Sequence, residues 1–222
     1  MPETLVWIER KSILCYGMLV PPRKAAAPAE PPRTRLDVEE RRRQLVALGV
    51  DLFSERTYDD VSIDELAQAA GISKGLLYHY FPTKRHFYVA TVREAAAELL
   101  ARTATPEGMD PLERLRGGLD AYIDYVSHHG KSYQALLRSG IGADVEVAGI
   151  VDETREAFCA RLVEGIPSDL RGPALRIALR GWVGFVEAAV VEWIDQKRRI
   201  GRTALREMLA KVLMDAVLAA AS

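Results

Sequence analysis

The sequence predicts an all-α protein of about nine helices, a small N-terminal helix-turn-helix unit followed by a larger helical unit. From Asp37 onward apolar residues recur at three- and four-residue steps, and no stretch alternates with the two-residue period of a half-buried strand. Two start signals punctuate this pattern: Ser62-Ile63-Asp64-Glu65, a capping box, and Asp110-Pro111-Leu112-Glu113, with Asp at the cap and Pro at the first helical position. The 222 residues divide into an N-terminal extension (1–36), a helix-turn-helix unit (37–83) and a larger helical unit (84–222).

The extension is expected to be disordered. Five prolines between residues 21 and 32 oppose helix and favour extended chain. Arg10-Lys11 and the short apolar stretch to Val20 imitate a signal peptide only faintly, because Pro21-Pro22 ends the run. Met18 is an alternative first residue, which would leave residues 1–17 outside the native chain.

The first helix carries Val38, Leu45, Leu48, Gly49, Leu52 and Phe53 on one stripe. A second helix starts at the Ser62 cap and runs to Ala70, and Gly71 supplies a residue that tolerates a left-handed turn. Ser73 caps a third helix that reaches Tyr80 and stops before Pro82, and a fourth runs from about Thr83 to Thr103. The fifth begins at the Asp110 cap and ends near Gly130. A short helix over Ser132–Ser139 and a long one over Asp144–Glu164 follow. Pro173–Lys197 holds a segment apolar on nearly every side, which predicts burial on most faces, and Thr203–Ala221 closes the chain with a broad apolar face.

Composition bounds the function. Thirty Lys+Arg against 31 Asp+Glu leave a net charge of −1, so no global basic field attracts a polyanion. Two cysteines, Cys15 in the tail and Cys159 read as a small core hydrophobe, form no disulfide framework and suit a reducing cytosol. No uncharged apolar run approaches the roughly 18 residues of a membrane span, so a cytoplasmic, membrane-free protein is expected. Walker A, H-E-x-x-H and G-x-S-x-G motifs are absent. His128 and His129 are adjacent and diverge on a helix, whereas chelation needs i,i+4 spacing. The expectation is a protein that is not an enzyme, with no cofactor and no metal.

Charge distribution carries more than charge count. Residues 66–93 contain no Asp or Glu, where composition predicts about four, while Lys74, Lys84, Arg85 and Arg93 all lie inside the stretch. On this reading the third helix and its flanks are purely positive. Ala67 stands where the second and third helices approach, and Leu66, Ile72 and Leu77 close a small core, the mechanics of a helix-turn-helix.

Residues 70–84, A-G-I-S-K-G-L-L-Y-H-Y-F-P-T-K, resemble the DNA-binding signature of TetR-family transcriptional regulators, Ala-Gly-Val-Ser-x-Gly-x-Leu-Tyr-x-His-Phe-x-x-Lys. Ala70, Gly71, Ser73, Gly75, Leu77, Tyr78, Phe81 and Lys84 match, and Ile72 stands for Val. The resemblance implies that Ser73–Tyr80 enters the major groove. Lys74 and Tyr78 lie four apart on one face; Lys74 would donate to guanine, Tyr78 would reach a base or a phosphate, and Gly75 would let the backbone approach DNA closely. His79, Tyr80, Lys84 and the Ser62 amide or hydroxyl would meet phosphates, and Leu77 and Phe81 are core. Tyr80 departs from the usual His and Leu76 from a frequent Thr, which leaves the operator open. Taken singly, Tyr78 and Tyr80 also read as packing residues and Lys84-Arg85 as a solvated pair. Arg41-Arg42-Arg43 reads either as a groove-steering run or as a solvated face beside Glu39-Glu40.

The resemblance further assigns ligand binding and dimerisation to the unit 84–222, and implies a homodimer through the last two helices, an inverted-repeat operator, and a small-molecule effector bound between helices four and eight. Tyr122, Tyr125, His129, Tyr133, Arg155, Phe158, Trp182 and Phe185 are the candidates for that pocket, with Glu187 as a further polar anchor; each also reads as core. The implied function is a ligand-responsive regulator, by family default a repressor, released from DNA by its effector. The alternative is a helical ligand-binding protein that no longer uses its helix-turn-helix on DNA.

Overall fold

The computed structural model describes residues 35–106, 108–130, 133, 134, 136 and 144–221. The N-terminal extension up to residue 34, the Met18 start and Cys15 lie outside the described residues. So does most of the helix expected over 132–139, of which Tyr133, Gln134 and Leu136 are helical. Among the described residues the order is α1 (Arg35–Glu55), α2 (Ile63–Ala69), α3 (Lys74–Tyr80), α4 (Lys84–Arg102), α5 (Pro111–His128), α6 (Val145–Glu164), α7 (Pro173–Asp195) and α8 (Arg202–Ala220). A single 3-10 turn, Ser168–Leu170, precedes α7, and no strand occurs among these residues.

The helix ends follow from side chains at the caps. Ser62 Oγ accepts from the Glu65 amide while the Glu65 carboxylate accepts from the Ser62 amide, a complete capping box. Ser73, Thr83, Asp110 and Asp144 each accept from amides in the first turn of α3, α4, α5 and α6. Gly71 has φ +64°, the left-handed conformation that turns α2 into α3 without a Cβ clash.

Two apolar cores share α4. Leu45, Phe53, Leu66, Leu77, Phe81 and Phe87 are among the residues that build the first, which Val147 and Ile150 of α6 also enter. Leu99 of α4 joins the second, with Ile123 and Val126 of α5, Leu179 and Val190 of α7, and Leu209 of α8. Gly49 on α1 lets α4 approach unusually closely: a Cβ there would stand 2.6 Å from Thr91 Oγ1 and 2.7 Å from the Phe87 ring. Trp182 ties α7 to α8 by donating to the Leu209 carbonyl at 2.9 Å, and Trp193 donates to the carbonyl of Ile200, in the turn before α8, at 2.8 Å.

The expectation that α7 is buried on most sides does not hold within one chain. Ile177 is 75% exposed and Phe185 39%, with Gly181 and Ala188 exposed on the same face. α8 exposes Met208, Met214 and Leu218. Among the described residues, the α7 face of Ile177 and Phe185 and the α8 face of Met208 and Met214 are left exposed. After α7, Lys197 and Arg198 both take φ 56°, and their amides return to the Ile194 and Trp193 carbonyls. The basic run thus closes the helix through its backbone, while the Arg198 side chain donates to the Ser127 carbonyl.

Candidate DNA interface and the cavity behind it

α3 presents one face to its own core and the other to solvent. Leu77 is 1% exposed and Phe81, just past the helix, is also buried, which anchors α3 on α1, α2 and α4. Lys74, Gly75, Tyr78 and His79 lie on the exposed side, with Tyr78 41% exposed. A Cβ on Gly75 would meet nothing nearer than Ser73 Oγ at 4.0 Å. No contact among the described residues asks for glycine there, although glycine within a helix costs about 0.5–1 kcal/mol relative to alanine. Tyr80 is half-buried against the first core, its ring 5.5 Å from that of His79.

The acid-free stretch is not acid-free in space. Lys74 Nζ stands 3.0 Å from Asp64, which lies just outside the stretch, and that hydrogen bond raises the lysine pKa. Arg85 donates to Asp144 at 2.5 and 2.7 Å and pairs with Glu146 at 3.2 Å, and Arg93 pairs with Glu153. Lys84 lies 4.0 Å from the Tyr58 ring centroid. The reading of a purely positive recognition helix and flanks is therefore corrected: helix packing returns acids that the sequence keeps apart. The Lys74–Asp64 pair is solvent-exposed and contributes little, so a phosphate or base edge can replace the carboxylate at small cost. The Ser62 amide is likewise committed to Glu65, which leaves its hydroxyl proton as the donor for a phosphate.

Behind this surface a mainly apolar cavity of about 110 Å³ runs from the end of α1 to α7. Of the eight candidate pocket residues it is lined by Tyr125, His129, Tyr133 and Phe158. Trp182 is buried with its indole bonded to α8, and Tyr122 is buried with its hydroxyl 2.7 Å from that of Tyr133. Phe185 faces outward, and Arg155 is locked on Glu187 by bonds of 2.7–3.1 Å. These four do not line the cavity, whereas Glu187 does. Nor is the cavity confined to helices four to eight. Val50 and Phe53 of α1, with Arg56, Thr57 and Tyr58 of the following turn, form one end. Tyr88, Thr91, Val92, Ala95 and Leu99 of α4 run along it, and α6 adds Ile150, Val151 and Thr154. Burial pushes the Tyr88 hydroxyl up to about 12, so it remains a donor, and burial lowers the pKa of His129. Among the described residues no cluster of His, Cys, Asp or Glu could hold a metal.

The N-terminal residues 45–91 match the family model "Bacterial regulatory proteins, tetR family", and residues 111–219 match "Tetracyclin repressor-like, C-terminal domain". A tetR-family transcriptional regulator from Streptomyces coelicolor is 34% identical and superposes with a TM-score of 0.72 over 82% of each chain. The chain belongs to the TetR family of transcriptional regulators. This family membership makes it a helix-turn-helix DNA-binding protein. Among curated relatives it is similar to the HTH-type transcriptional activator FasR of Mycolicibacterium smegmatis, 28% identical over 76% of this chain and 78% of that one. It is also similar to the repressor KstR of Rhodococcus jostii, 24% identical over 72% and 75%. Among the described residues of this TetR-family chain, no helix is long and apolar enough to cross a membrane.

Proposed function

We propose that this protein is a cytoplasmic, ligand-responsive regulator that binds an inverted-repeat operator as a homodimer, represses by occupying it, and leaves it when a small molecule fills the cavity. The observation that carries the reading is the exposed face of α3, with Lys74 and Tyr78 four residues apart, open space at Gly75, and a core behind it that fixes the helix. Lys74 and Tyr78 serve base readout; Ser62, Ser73, His79, Tyr80 and Lys84 serve the phosphates. Lys84 adds its charge at the positive end of α4.

The uncovered apolar faces of α7 and α8 support dimerisation as a four-helix bundle, which would present two α3 helices to half-sites a helical turn apart. The cavity supports the effector reading. At about 110 Å³ it is smaller than the roughly 300–1,000 Å³ of sites for drug-sized ligands, so such an effector enters by moving its walls. Those walls include α1 and α4, which carry α3. An effector that prefers the widened state thereby shifts the population away from groove spacing. Relatives include an activator as well as repressors, and the sign of regulation depends on where the operator lies relative to the promoter.

Duplexes selected from random DNA by the full chain test the reading. An inverted repeat bound at least 1,000-fold better than scrambled DNA is expected, within the range of specific regulators. Equal binding of the two duplexes refutes it, and favours a ligand-binding protein with an idle helix-turn-helix.

A further inference from the structure

Arg56 occupies a singular position. It lines the cavity, and its Nη1 also stands 3.1 Å from Glu65 Oε1, the capping-box acid of α2. Its Nη2 donates to the Asp60 carbonyl. Glu65 accepts from the Ser62 amide at 2.8 Å through its other oxygen. One arginine thus lines the effector space and pairs with the residue that fixes the start of the helix-turn-helix.

The remaining lining is short of exchangeable charge. Glu187, at the α7 end, is held by Arg155 in a pair with side chains only 13% and 25% exposed. Thr154 is bonded to the Ile150 carbonyl and Tyr125 to that of Ala95. Arg56 is the one permanent cation among the described lining residues, and its pair with Glu65 is a single contact between half-exposed side chains. Such a pair is weak and is readily exchanged for a better-placed anion. Guanidinium also binds carboxylate and phosphate in a fork geometry that its single contact with Glu65 does not use.

Resting on the effector reading above, we infer that the cavity takes an amphipathic anion. Its apolar body lies along α4 and α6 and its anionic head is received by Arg56, which gives up Glu65 and so loosens the α2 capping box. The ligand signal then reaches the DNA-binding unit through one ion pair at the α1–α2 turn, in addition to any movement of α4. The head is a carboxylate or a phosphate, and the hydroxyl-bearing Tyr58 and Tyr88 line the same region, where the Thr57 hydroxyl already donates to Asp60.

Calorimetric titration of the full-length protein with decanoate, decanoyl-CoA and decanol tests this. Decanoate or decanoyl-CoA should bind about tenfold tighter than decanol, the worth of one charged hydrogen bond. Which of the two binds identifies the head as carboxylate or phosphate. Each methylene added to the better ligand should tighten binding by up to about fourfold until the cavity is full. Arg56→Gln should abolish the preference over decanol. Glu65→Gln keeps a residue able to complete the capping box but removes the competing charge, and should tighten anion binding. Equal binding of decanol by the native protein, no binding of either anion, retention of the preference in Arg56→Gln, or weaker anion binding in Glu65→Gln each overturns the inference. Operator binding is scored on the same preparations. Its presence with any of those results defeats this inference alone, and its absence defeats the functional reading beneath it.

Discussion

Two glycines on the same small unit should respond in opposite ways to alanine. At Gly49 the added Cβ would lie 2.7 Å from Phe87 Cζ and 2.6 Å from Thr91 Oγ1, where ordinary contact begins at 3.4 Å. The aromatic ring would have to withdraw by about 0.7 Å, yet it is 1% exposed and stacks edge-on with Phe81 at 4.9 Å. Thr91 cannot swing aside freely, because its hydroxyl is buried and bonded to the Phe87 carbonyl. Overpacking of this kind costs about 1–3 kcal/mol, and the better helix propensity of alanine returns about 0.5–1. The net loss is therefore about 0–2.5 kcal/mol and centres a little above 1 kcal/mol, a factor of roughly 10 in the folded population. Gly75→Ala meets open space and should leave stability equal or higher by up to about 1 kcal/mol, yet weaken operator binding where the backbone nears DNA. Urea unfolding at fixed protein concentration, with an unchanged m-value, measures the first effect, and operator titration the second. Native-like stability of Gly49→Ala would refute the close α1–α4 crossing. Unchanged operator affinity in Gly75→Ala would refute the docking of α3.

Further expectations follow from the ion pairs and the uncovered faces. Asp64→Asn releases Lys74 and should tighten operator binding, whereas Lys74→Ala should relax base preference and Lys84→Ala should weaken all DNA sequences alike; parallel titrations on matched and mismatched duplexes separate these outcomes. Arg85 holds the Asp144 carboxyl down at about 2 against 3.8 for the free group. A depressed acid pKa gives stability that is complete above the unfolded value and is lost as pH falls from about 4 towards 2. Asp144→Asn should therefore flatten the pH dependence of thermal unfolding in that window. Phe185→Glu or Ile177→Asp, on the exposed α7 face, should yield monomers in sedimentation equilibrium.

Helix starts were legible because capping is local. Ser62 with Glu65, and Asp110 with Pro111, name their own roles within four residues. The turn at Gly71 and the burial of Leu77 followed from the same local grammar. Contacts between helices were not legible. Asp64 returns to Lys74 across the α2–α3 turn, and Asp144 reaches Arg85 from 59 residues away, so segregation along the chain did not become segregation on the surface. The lining of the cavity was not legible for the same reason. Aromatic content singled out Trp182 and Phe185, but one is committed to α8 and the other faces outward, while α1 supplies lining that no motif marks. Gly49 within the apolar stripe of α1, where alanine would favour the helix, is the sequence signal that another element approaches closely.

Fluorescence anisotropy of a selected inverted-repeat duplex against a scrambled duplex, across a salt series, tests the central claim most directly. The account predicts discrimination of at least about 1,000-fold, with affinity for both duplexes falling steeply as salt rises and with Lys74→Ala losing most of the discrimination. Equal affinity for the two duplexes, or discrimination untouched by Lys74→Ala, would contradict it.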